Sequence, residues 1–239
     1  MKGSSMSLLI KKNGHDITTV DQWFEFAPPK EGLRQWVDGR SAKELAKAFV
    51  KDGAPIVPAE LRALLGSNRE LGPVDLVTLF PEYKIPLDLF PGETRNDDLA
   101  VIGKARVGKI GVTIEAKADE AFGETIGDTL AKASKVSYKS NVPKRIAALS
   151  EAMFGQSCPD INDLRYQLLH GTAASLIFAR KQNAVAAAFI VLEFRGPKCK
   201  TENLERNSRD FDLFVKVLSP RSPNPTSGNL IGPLSVPGG

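Results

Sequence analysis

Histidine and cysteine are scarce in this sequence, with two of each among 239 residues. His15 and His170 cannot supply a three-histidine zinc site from one chain. Cys158 and Cys199 lie far apart and in no paired-cysteine spacing, so free thiols are expected rather than a zinc site or a disulfide framework. No window approaches the ~20 apolar residues of a membrane span, and the opening "MKGSSMSLLIKKNG" lacks the apolar core of a signal peptide. A cytoplasmic protein without membrane contact is the expectation. "GKARVGK" has glycines and lysines but not the phosphate-loop spacing that ends in Lys and Ser or Thr, which argues against nucleotide hydrolysis. His170 has no G-x-S-x-G elbow to partner it in a serine triad. Charge is nearly balanced: a net +4 is compatible with nucleic acid without demanding it.

What is present is the composition of an ordinary globular chain, with 42% hydrophobic and 25% charged residues, and this excludes disorder throughout. The length suits one sizeable core. Residues 1–20 form a polar segment whose "MKGSS" reads in part as a cloning remnant, residues 21–218 a single domain, and residues 219–239 a mobile tail rich in Pro, Ser and Gly. "DGRSAKELAKAFVK" reads as a helix with Ser41 as N-cap and Glu44 completing a capping box. "VPAELRALLG" follows as a second helix, with Pro58 at its start and Gly66 past its end. Three β-rich segments, "VDLVTLFPEYKIPLDLF", "DDLAVIGKARVG" and "KIGVTIEAKA", are parted by turn residues and predict a meander. Helices are expected in "ETIGDTLAKASKVS", "PKRIAALSEAMFG", "DINDLRYQLLHGTAASLIFARKQN" with Asp160 or Asn162 as cap, and "TENLERNSRDFDLFVKVL". "AVAAAFIVLEF" suits a buried strand. The order predicts an α/β fold with a central mixed β-sheet flanked by helices.

"KIGVTIEAKADEAFGETI" sets two opposite charges inside an apolar run. As a strand, its period of two turns Val112, Ile114, Ala116 and Ala118 to a core, and holds Thr113, Glu115, Lys117 and Asp119 together on the other face. One reading is a solvated face with an ion pair worth ~0–1 kcal/mol. The other is half of a metal site. Asp97 and Asp98 open the preceding strand, and an antiparallel return sets Glu115 and Lys117 beside them.

Asp98 followed by Glu115, Ala116 and Lys117 resembles the active-site signature of the PD-(D/E)XK nuclease superfamily, with Asn96 and Asp97 standing where the signature's proline would precede Asp98. "WVDGRSAKELAKAF", "EAKADEAFGE" and "LRYQLLHGTAAS" are together similar to a bacterial family within that superfamily, and the resemblance covers roughly Trp36 to Phe194. It implies a restriction-endonuclease-like core and a metal-dependent nuclease acting on nucleic acid, DNA in first place, with Mg2+ or Mn2+ as cofactor; a homodimer is compatible with it. The carried-over metal ligands are Asp98, Glu115 and the carbonyl of Ala116. Lys117 would orient the attacking water or stabilise developing negative charge.

Magnesium takes oxygen ligands and keeps several waters, so two carboxylates and a carbonyl suffice. Glu82 in "FPEYKIP" is either an extra acidic ligand or an edge charge. In related nucleases a glutamine or lysine of the following helix faces the scissile phosphate, and Gln167 matches it, although Gly171 stands where some branches carry a tyrosine. Gln167 and His170 share a helix face. Arg165 is either a phosphate contact or a solvated surface arginine. Because Asp98 and Glu115 repel, neutralising either is expected to leave metal-free stability unchanged or slightly higher. The alternative function is a catalytically inactive nuclease-like module that binds nucleic acid or a protein partner.

Overall fold

The computed structural model describes residues 7–90, 94–136, 140–156, 158–197 and 199–238. In chain order these form β1 (Leu9–Lys12), β2 (His15–Asp16), α1 (Val20–Phe26), α2 (Ser41–Phe49), β3 (Val50–Lys51), β4 (Ala54–Pro55), α3 (Ala59–Ser67), β5 (Asp75–Ile85), β6 (Arg95–Ala105) and β7 (Gly108–Lys117). Then follow α4 (Ile126–Val136), α5 (Val142–Phe154), α6 (Tyr166–Lys181), β8 (Ala186–Glu193) and α7 (Thr201–Leu218). Six strands build one mixed sheet in the order β2-β1-β5-β6-β7-β8. β5, β6 and β7 are the expected antiparallel meander, and β8 joins β7 in parallel. A parallel neighbour needs a long crossover, which α4, α5 and α6 supply. The fold is α/β with a mixed central sheet flanked by helices.

Apolar periodicity assigns the two faces. Leu79, Leu99, Val101, Val112 and Ile114 pack on one side against Trp23, Leu45 and Phe49 of α1 and α2. On the other side Ile85 and Ala100 meet Ala174 and Phe178 of α6, while α5, α6 and α7 share a second cluster around Leu149, Leu168 and Phe214. α6 lies so close to β7 that a Cβ on Gly111 would meet Ala179 Cα at 2.8 Å. Gly111→Ala is therefore expected to cost about 1–3 kcal/mol through overpacking, read as a lowered urea midpoint with an unchanged slope. An unchanged midpoint would show that strand and helix can separate freely.

Several expectations need correction. The polar N-terminal segment is not outside the fold: β1 pairs in parallel with β5, and Ile10 and Ile17 are fully buried. A four-residue strand with one buried apolar side chain leaves almost no periodic signal. The tail holds no helix or strand among its described residues and runs against the domain: the Gly238 amide donates to the Ala152 carbonyl at 2.8 Å, and Val236 packs on the cluster of α5, α6 and α7.

Ser41 is the first helical residue and not the cap; its amide and hydroxyl donate to Glu120 Oε1, far along the chain, and Glu44 accepts from the Gly39 amide. Gly66 lies inside α3. α6 begins at Tyr166, later than Asp160 or Asn162, and Asp160 instead accepts from the Asn162 amide in a local turn. Both cysteines are free, as expected. Among the described residues no helix is long and apolar enough to cross a membrane.

Candidate active site

β7 is buried on both faces from Ile110 to Lys117. Its polar row is not a solvated surface, because α6 covers it: Thr113 is 0%, Glu115 3% and Lys117 6% exposed. Lys117 Nζ donates to Glu115 Oε1 at 2.6 Å, and the same oxygen accepts from Gln167 Nε2 at 2.6 Å. The other oxygen, Oε2, accepts from Arg95 at 2.7 Å. Arg95 extends the network, donating from Nε to Asp97 Oδ1 at 2.6 Å and facing His170 Nδ1 from a terminal nitrogen at 2.9 Å.

This network forms where the sheet opens. The β6/β7 ladder ends at the pair Leu99 and Ile114. Beyond it the Ala116 amide donates to Asp98 Oδ2 at 2.7 Å, so a side chain takes the place of the missing strand partner. Alternation is also broken beside this opening, on β5 and β6. Phe80 and Tyr83, three residues apart, contact each other, and Tyr83 reaches Phe178 of α6. Between them Glu82 has a left-handed φ of 48°. Its neighbours on β6 follow, so that Ala100 and Asp97 both reach the α6 side, and Asp98 between them points along the sheet toward β7.

Burial and charge set the protonation of the acids. Burial pushes Glu115 up, but Lys117 and Arg95 outweigh it and hold the carboxyl below its ordinary range. Asp98 is driven well above the ordinary range, first by burial and then by the charge of Glu115, with Lys117 and the Ala116 amide only partly offsetting them. Asp97 rises to about 6 through burial, despite Arg95, and its Oδ2 is buried without a partner. Burial and the charge of Glu115 thus disfavour the ionised form of Asp98. For Glu115 the expectation of unchanged or higher metal-free stability is corrected: its neutralisation would leave Arg95 and Lys117 buried beside an uncharged group, which is destabilising.

Glu82 rises to about 7, chiefly by burial, with the charge of Glu115 adding to it. Since its ordinary value is 4.5, the folded chain keeps a proton there that the unfolded chain releases. The stabilising contribution is complete below the unfolded value and is lost as pH rises through the folded one. In chelator, Glu82→Gln is thus expected to melt close to the parent at pH 4.5 and above it at pH 8, by calorimetry. A gap that does not widen with pH would contradict the assignment.

Of the residues singled out from sequence, Asp98, Glu115, Ala116, Lys117 and Gln167 come together here. Glu82 does not bond to them; its carboxylate accepts from Asn96. Arg165 is neither a free phosphate contact nor a solvated side chain, for it pairs with Asp210 at 2.8 Å and donates to the Gly123 carbonyl at 2.9 Å. Sequence reasoning missed Arg95, and set Asp97 beside Glu115 without giving it a role. Gly171, noted there only as a missing tyrosine, explains part of this: a Cβ on it would lie 3.3 Å from the Arg95 guanidinium and 2.8 Å from the Phe189 ring, so the space of the absent side chain is filled by both.

The donors present suit a hard cation. Asp98 Oδ1 has no hydrogen-bond partner among the described residues. The Lys117 carbonyl accepts from Phe194 on the β8 side, and neighbouring residues of a strand use opposite edges. The Ala116 carbonyl is therefore turned to the same opening as its amide and Asp98. Two carboxylates and a carbonyl fit Mg2+ or Mn2+ with retained waters. They do not fit zinc, and the described residues include no group of three His, Cys, Asp or Glu side chains able to hold a metal. Lys117, Gln167, His170 and Tyr166 line an open pocket of about 480 Å3 beside the network.

Residues 16–238 match the family described as a domain of unknown function, DUF6946, and the chain belongs to that family. No curated protein and no solved structure matches it.

Proposed function

We propose that the chain hydrolyses phosphodiester bonds of nucleic acid, DNA in first place, using a divalent cation held by Asp98, Glu115 and the Ala116 carbonyl. The observation that carries this reading is the opening of the sheet beyond Leu99 and Ile114, where those groups and Lys117 converge. When bound, such a cation lowers the pKa of a coordinated water and acts as a Lewis acid toward the phosphoryl oxygen. The chain's residues do the rest. Arg95, Gln167 and Lys117 fix the Glu115 carboxylate in one orientation. Lys117 keeps further N–H groups for the attacking water or a phosphoryl oxygen, a preorganised charge that need not reorient during reaction. The resemblance of this acidic and lysine set to PD-(D/E)XK nucleases supports the same chemistry.

A second reading is favoured by Arg95. Its guanidinium already neutralises Glu115 and Asp97, which is what a network retained for structure, in a domain that only binds nucleic acid, would need. Cleavage of plasmid, linear and single-stranded DNA and of RNA, with Mg2+ or Mn2+ and with chelator, separates the two. Metal-dependent cleavage lost in Asp98→Asn is the expected result. Binding without cleavage under every metal and substrate would establish the second reading.

A further inference from the structure

We infer that His170 presents a neutral Nε2–H donor to a phosphate oxygen in the pocket beside Lys117 and Gln167, and that Arg95 fixes it in that form. The choice of phosphate as ligand rests on the proposed phosphodiester chemistry; the tautomer does not. A guanidinium has only donors. The nitrogen of Arg95 that lies 2.9 Å from His170 Nδ1 must therefore donate, and Nδ1 must accept through its lone pair. A neutral imidazole with an accepting Nδ1 carries its proton on Nε2. Arg95 has no freedom to reverse this arrangement, since its other two nitrogens are committed to Asp97 and Glu115. The ring is also fixed in space by the edge-on packing of Tyr166, at 4.7 Å between centroids and 88° between planes.

The opposite side of the ring is where a ligand can be met. His170 Nε2 has no hydrogen-bond partner among the described residues, and His170 lines the open pocket with Lys117, Gln167 and Thr129. Lys117 and Gln167 keep an ammonium and an amide N–H able to donate, while the Thr129 hydroxyl is already committed to the Thr125 carbonyl at 2.8 Å. The one carboxylate in the lining, Glu124, is paired with Lys132. Burial, together with Arg95, Lys117 and Arg145, holds the imidazole pKa well below its ordinary value, so the ring adds a donor without adding a fourth charge beside three cations. His170 thus contacts substrate, while Arg95 is a positioning residue that ties the orientation of Glu115 to that of His170.

Only His15 and His170 contribute imidazole signals, so long-range 1H–15N correlation NMR of the labelled full chain reads the tautomer directly, with His170→Asn assigning the signals. At pH 7, His170 is expected as the neutral Nε2–H form. Inorganic phosphate, and thymidylyl-thymidine in the presence of Ca2+, should shift its resonances saturably while leaving His15 in place, and His170→Asn should weaken that binding about tenfold, as the loss of one bond to a charged group would. An Nδ1–H or imidazolium form overturns the inference, and so does an Nε2–H form that neither probe shifts. If His170→Asn fails to fold, His15→Asn at the exposed histidine assigns the signals and the wild-type spectrum still decides this. A shift by phosphate without metal-dependent cleavage would refute the nuclease reading and leave this donor standing; cleavage with an unshifted His170 would do the reverse.

Discussion

Lys117→Ala is expected to lower metal-dependent cleavage by about 10²–10³, the loss typical of one preorganised electrostatic group, with nucleic-acid affinity nearly unchanged. Lys117 is 6% exposed, bonded to Glu115 and placed 5.5 Å over the Phe122 ring. It is too enclosed to be one of the many surface cations that track a phosphate backbone, whose individual losses would weaken binding and its salt dependence instead. Glu115 would still be held by Arg95 and Gln167 in the variant, so the carboxylate should keep its place. Lys117→Arg should also be impaired, since a planar guanidinium cannot occupy the volume of a compact ammonium in so closed a position. Single-turnover cleavage and binding, measured at one salt concentration for the parent and both variants, check this. Equal cleavage in all three proteins would remove Lys117 from the mechanism.

The largest effect on stability is expected at Arg95. Its guanidinium bonds to Asp97 and Glu115 within a site where all three are nearly inaccessible. Breaking a buried ion pair from one side leaves the other charge uncompensated, at a cost of about 3–5 kcal/mol. Arg95→Met should therefore unfold at a much lower urea concentration at pH 7. Adding Asp97→Asn should recover part of the loss, because Asp97 already has an unpartnered oxygen and a pKa raised to about 6. A single variant within 1 kcal/mol of the parent, by the general scale for surface pairs, would mean that water reaches the network and relieves it.

The sequence carried the parts of this fold that follow from unbroken periodicity. Val112, Ile114 and Ala116 alternate with Thr113, Glu115 and Lys117 over enough residues to set both faces of β7, and the meander follows from the turns that bound it. What it did not carry depends on broken periodicity or on distant partners. Strict alternation puts Asp97 on the face of Leu99; alternation instead breaks beside the left-handed Glu82, and Asp97 joins Arg95, which faces His170 of α6. Arg95 also follows "PGET", a stretch of turn residues that reads as loop, although the strand begins at Arg95 itself. The Ser41 amide is satisfied by Glu120, a pairing no local capping rule can find. Gly171 shows the same limit from the opposite side: it reads as a departure from the pattern it resembles, and only the neighbouring Arg95 and Phe189 show what uses the space.

The opening between β6 and β7 either binds a cation or it does not, and anomalous scattering from crystals soaked in manganese measures this most directly. The account predicts one peak in contact with Asp98 and Glu115, on the side of the Ala116 carbonyl, and no such peak in Asp98→Asn crystals treated alike. A parent crystal with no peak there, in which Arg95 still bridges Asp97 and Glu115, would contradict it.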